Sequence, residues 1–168
     1  MYTLYSFTPD VDHDPSQATR PFPRVMVTLD NFPVTTGALM LLTRFEGADM
    51  TEQLPDHIVA TLGPISNRLV SHMRARLDTD PSNPLKRVTR VISESSVRGP
   101  HMLFVPTRNR SDPPKLWRRT YTEDDPTRAT PEVLAATQKL LEIPDELKEE
   151  LDQILRNVYW FPKTADGR

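Results

Sequence analysis

The chain contains no cysteine, which excludes disulfides and thiolate metal sites and fits a reducing, cytoplasmic setting. Its five glycines are scattered, so no glycine-rich phosphate loop is present. No apolar run approaches the roughly 18–20 residues of a membrane span. The start, Met1-Tyr2-Thr3-Leu4, lacks the basic region and apolar stretch of a secretory signal. Neither a Gly-x-Ser-x-Gly elbow nor His-Glu-x-x-His occurs. The four histidines, His13, His57, His72 and His101, are too dispersed to form a metal site by spacing. Asp10, Asp12 and Asp14 alternate, but the glycine and distal glutamate of a calcium loop do not follow. These absences point away from an enzyme, a metal and a cofactor.

What is present is one domain's worth of chain, 168 residues, with a modest apolar share of 37% and 17 prolines, about twice the usual proportion. The charges fall into blocks. Residues 64–119 hold 12 Lys/Arg against 4 Asp/Glu, whereas residues 1–63 and 120–168 each carry a local −5, giving the net −2. A basic middle of this kind bears on partners, and a polyanion is the first to consider. The plainer alternative is a basic face neutralised by the acidic flanks on folding.

Residues 1–24, with Pro9, Pro15, Pro21 and Pro23, read as an extended arm. Arg24 to Leu29 alternates as a half-buried strand does. Gly37 to Glu46, apolar nearly all round at Ala38-Leu39-Met40-Leu41-Leu42, reads as a buried helix. A second helix from about Thr51 or Pro55 is closed by Gly63, and a third runs from Ser66 to Leu77. Leu85 to Ser95 fits a helix started by Asn83 and Pro84, although its β-branched content also suits a strand. His101–Pro106 and Lys115–Thr122 read as strands joined by a hairpin loop over 107–114. Helices follow over Pro131–Leu141, capped by Thr130, and over Pro144–Tyr159.

Helix, helix, tight turn, helix and a basic-tipped hairpin is the order of a winged helix-turn-helix. The segment Ile58 to Met73 resembles the bihelical core of MarR-like bacterial and phage regulators: Gly63 stands at the turn, Ser66 at the cap, and Val70 and Met73 as the buried pair, with Pro64 as one additional turn residue. The resemblance implies an α+β, mostly helical fold: a winged-helix domain over 25–123, a C-terminal helical pair over 124–161, and a flexible tail over 162–168. It also implies a sequence-specific double-stranded DNA-binding protein, a transcriptional regulator of bacterial or phage origin.

Residue chemistry gives the same surface. Arg68, Ser71, His72 and Ala75 form one stripe of the third helix, with Ser66 at its start and Asn67, Arg74 and Arg76 at its edges. Short central side chains and flanking cations suit a major groove. Arg108, Arg110 and Lys115 would form the wing. A rival register makes 85–95 the recognition helix, presenting Lys86, Arg87 and Arg90. Leu147, Leu151, Ile154 and Val158 form a helical seam for a homodimer or for the domain's own core. The alternative function is a winged-helix protein-interaction adaptor without DNA binding.

Overall fold

The computed structural model describes residues 2–7, 24–30, 37–44, 54, 56–95, 99–108 and 130–159. Five strands and three helices occur among them, in the order β1 (Thr3–Phe7), β2 (Arg24–Leu29), β3 (Leu39–Arg44), α1 (Asp56–Leu77), β4 (Arg87–Ser95), β5 (Gly99–Thr107), α2 (Pro131–Leu140) and α3 (Asp145–Tyr159). The strands make one sheet ordered β1-β2-β3-β5-β4, with every neighbouring pair antiparallel. The first three strands form a meander. The chain then crosses as α1 and returns as the β4–β5 hairpin, with β5 inserted against β3.

Alternation along the strands sets the core. Val25, Val27 and Leu29 of β2 share a face with Leu39 and Leu41 of β3 and Phe104 of β5. Against that face α1 lays Ile65, Leu69, Met73 and Leu77, all in one buried cluster. Each of these apolar side chains contributes roughly 1.5–3 kcal/mol when fully buried. Gly37 opens β3 at φ +93, where a Cβ would stand 3.1 Å from Leu77 Cδ1. The end of α1 therefore closes tightly over the start of β3, at a backbone angle that L side chains rarely adopt.

A winged helix is not formed. The apolar run Leu39–Leu42 is a strand rather than part of a helix over 37–46; β3 lies between β2 and β5 and is buried on both faces. Residues 87–95 are also a strand, paired residue for residue with β5. The second and third helices expected from the sequence are one helix of 22 residues, with Pro64 inside it. Proline cannot donate to the carbonyl four residues back. Side chains bond along the helix on either side of it, Thr61 Oγ1 to the Ile58 carbonyl and Ser66 Oγ to the Gly63 carbonyl. At Gly63 a Cβ would meet nothing within 4 Å, so this glycine marks neither a turn nor a close approach. The hairpin tip and the strand expected over 115–122 lie outside the described residues.

The C-terminal helices do form where the sequence places them. Thr130 caps α2, its side chain accepting from the Val133 amide at 3.3 Å. Leu147, Leu151 and Ile154 of α3 pack into the chain's own core, together with Leu155. The expected dimer seam is thus spent within one chain; Val158 is not among the side chains described. Tyr5 ties α3 to the sheet by donating to Asp152 Oδ1 at 2.5 Å. Among the described residues no helix is long and apolar enough to cross a membrane.

Candidate functional site

A cleft opens on the α1 side of the sheet, over the end of β3, β5 and β4 that the buried part of α1 does not cover. Leu41, Thr43, Ile92, Pro100 and Met102 line it from the sheet, and Leu54 and Leu62 from the helical side, around about 230 Å³ of space. Register explains the set: Leu41 lies opposite Met102, which lies opposite Ile92, so the three strands present one continuous apolar strip. Thr43 Oγ1 donates to the Pro100 carbonyl at 3.2 Å, closing the strip at its end. The hydroxyl oxygen keeps its lone pairs for an incoming donor.

His101 completes the wall. It follows Pro100 in β5, and alternation gives its ring the face shared with Leu42 and Ser93. The imidazole is buried, and Nδ1 lies 2.9 Å from the Gly99 carbonyl. A carbonyl only accepts, so Nδ1 carries the proton and Nε2 keeps its lone pair in the neutral ring. His72 shows the opposite arrangement. Its Nε2 donates to the Leu141 carbonyl at 3.1 Å, joining α1 to the end of α2. One histidine serves helix packing; the other stands in a cleft wall.

The residues expected to bind DNA are distributed as follows. Ser66, Asn67, Arg68, Ser71, His72, Arg74 and Arg76 all lie on α1. Ser66 and His72 are buried, while Asn67, Ser71, Arg74 and Arg76 are exposed. Arg68 pairs with Glu150 of α3 at 2.9 Å and also donates to the Pro64 carbonyl. Arg90 of β4 reaches back to α1, donating to Ser66 Oγ at 2.9 Å and Asn67 Oδ1 at 2.7 Å. Arg108 donates to the carbonyls of Asn83 and Leu77, fastening the segment after α1. Lys86 and Arg87 are exposed at the start of β4. Arg110 and Lys115 fall outside the described residues. The structure therefore draws together Ser66, Asn67 and Arg90, and turns Arg68 towards the acidic α3.

Sequence reasoning did not find the cleft. Its residues come from five separated stretches, and none of them carries a motif. The signal that existed was the β-branched alternation of residues 85–95, which the strand alternative for that stretch acknowledged.

No protein-family profile and no curated protein matches the sequence. Solved structures do. A Hit-like protein from Bartonella henselae, described as involved in cell-cycle regulation and holding an unknown ligand, overlaps 84% of this chain and 84% of its own at TM-score 0.54 and 10% identity. A zinc-bound histidine triad family protein from Mycobacterium smegmatis covers 77% of this chain and 81% of its own, at 17% identity and TM-score 0.47. A histidine triad protein from Marinobacter aquaeolei covers 77% and 84%, at 21% identity and TM-score 0.47. The Bartonella overlap and the sheet topology together give a HIT-like α+β fold. They overturn the resemblance to winged-helix regulators, and with it the expected DNA partner and the reading as a transcriptional regulator. Three histidines are not gathered here: the described chain holds no cluster of three His, Cys, Asp or Glu side chains fit for a metal. The chain has a HIT-like fold, with a single histidine at its cleft.

Proposed function

We propose that the protein binds a small ligand of the nucleoside type, with the flat ring lodged on the Leu41–Met102–Ile92 strip. The observation that carries this reading is the cleft itself: an apolar strip with one hydroxyl and one histidine in its wall. Ligand sites are typically apolar concavities with a few placed polar groups. At about 230 Å³ the space is smaller than the roughly 300–1,000 Å³ of drug-sized sites, so it suits one ring rather than a whole large ligand. Likeness in fold to a protein crystallised with an unknown ligand adds support. A nucleobase of about ten non-hydrogen atoms, at roughly 0.3 kcal/mol each, is worth about 3 kcal/mol, so millimolar affinity is expected for the base alone.

A second reading, turnover of a phosphoester, has one observation in its favour. With Nδ1 donating to Gly99, the Nε2 lone pair of His101 is able to take a proton or attack phosphorus. Both readings meet in one experiment. Nucleosides and their monophosphates are titrated into the ¹⁵N-labelled protein, and hydrolysis of nucleoside phosphoesters is followed in parallel. Binding shifts amides around Leu41, Ile92 and Met102, and Met102→Trp, which fills the cleft, removes the shifts while the fold persists. Absence of shifts with every nucleoside, or shifts confined to another face, would overturn the binding reading. Turnover abolished by His101→Ala with binding retained would establish the second.

A further inference from the structure

β4 ends the sheet, so one side of its backbone meets no strand among the described residues. Proteins usually blunt such an edge with proline, a bulge or a very short strand, because an open edge templates pairing with another chain. β4 has none of these devices. It is nine residues long, contains no proline, and runs in unbroken register with β5. At its middle stands Ile92, 59% exposed, the most exposed of the large hydrophobic side chains described.

We propose that β4 pairs antiparallel with β4 of a second copy of the chain, about a two-fold axis at Ile92, joining two five-stranded sheets into one of ten strands. The occupant follows from the sequence of the strand. When β4 pairs with itself about Ile92, that residue faces its own copy, and Arg90 and Glu94 each stand opposite the other's counterpart. Arg90, Ile92 and Glu94 share the α1 face, because they alternate and Arg90 reaches Ser66 and Asn67 from there. One Arg90 amino group is engaged in those two bonds, and the guanidinium has further N–H donors to offer a carboxylate. Two-fold symmetry makes the patch self-complementary and repeats each charge pair. An unrelated strand carries no such match. Since Ile92 also walls the cleft, the axis sets the two clefts side by side. The proposal stands on the edge strand alone and does not depend on the ligand reading.

The test is the association state of the full chain by sedimentation, with amide hydrogen exchange along β4. The wild-type chain is expected to dimerise, with β4 amides protected in the dimer. Glu94→Arg leaves the bonds of Arg90 to α1 in place and sets like charges opposite each other twice, weakening the dimer by about tenfold or more. Adding Arg90→Glu to that variant restores opposite charges and recovers dimerisation. A chain that stays monomeric at every concentration overturns the proposal. So does a dimer indifferent to Glu94→Arg, or one whose β4 amides exchange as fast as in the monomer. Glu94→Gln, which removes the charge without adding one, gives an intermediate loss and covers the case in which an added arginine disturbs the strand.

Discussion

Replacing Tyr5 by phenylalanine tests how the sheet and α3 are joined. The ring of Tyr5 is buried, and its hydroxyl donates to Asp152 at 2.5 Å. Hydrogen bonds to charged groups are worth about 1.5–3 kcal/mol. Asp152 is only half-buried and regains water when the phenol is removed, so the lower end applies, about 1.5 kcal/mol. For a chain of this length each kcal/mol moves Tm by about 2–4 °C, and Tyr5→Phe is expected to melt about 3–6 °C lower at neutral pH. Burial, then the hydrogen bond to Asp152 and its negative charge, push the Tyr5 phenol well above its ordinary value of 10.0. A raised folded-state pKa means that the contribution is complete below pH ~10 and is lost above it, where the unfolded tyrosine gives up its proton and the folded one does not. The loss is about 1.4 kcal/mol per pH unit, so the gap between wild type and Tyr5→Phe closes near pH ~11. Other titrating groups are common to both proteins and cancel. Thermal melts of the pair from pH 7 to 11 make the measurement. Equal stability at pH 7, or a gap unchanged at pH 11, would refute the clamp.

Leu69→Ala removes a fully buried side chain from the α1–sheet contact and is expected to cost about 2–5 kcal/mol by chemical denaturation; a loss below 1 kcal/mol would mean that α1 does not carry the core. Gly37→Ala places a side chain at φ +93 and crowds Leu77, for a loss of about 1–3 kcal/mol. Adding Leu77→Ala to that variant does not rescue it, because the dihedral penalty persists, and a full rescue would assign the cost to crowding alone. Arg68→Ala breaks an ion pair whose partners are 41% and 56% exposed. Its expected effect is under about 1 kcal/mol and fades as salt is raised, read from melts at low and high ionic strength.

Legibility of the fold in the sequence followed burial geometry. β2 was readable because only every second residue enters the core, and Val25, Val27 and Leu29 mark it. α2 and α3 were readable because Thr130 supplies a cap and α3 alternates a packed face with an acidic one. β3 was not. Leu39, Met40, Leu41 and Leu42 are all buried, and a strand covered on both faces has the same apolar run as a buried helix. Pro64 misled for a related reason. A Gly-Pro pair ordinarily ends a helix, and here α1 continues through it because Ile58, Ile65 and Leu69 on either side remain anchored in the buried face. In both places tertiary packing overrode a local signal.

The site was less legible than the fold, and the arginines explain how the wrong surface was chosen. Charge counting treats every cation in the basic middle as available to a partner. In the folded chain Arg68 meets Glu150 from the acidic C-terminal block, Arg90 braces β4 against Ser66 and Asn67, and Arg108 satisfies two backbone carbonyls. Part of the positive charge is therefore structural, holding α1 to its neighbours. The cleft gives no comparable sequence signal, because inserting β5 between β3 and β4 is what brings Leu41, Ile92 and Met102 into line. A linear reading has no access to that insertion. Had β4 paired with β3 instead, the same residues would make a different strip, so the cleft belongs to the topology before it belongs to any motif.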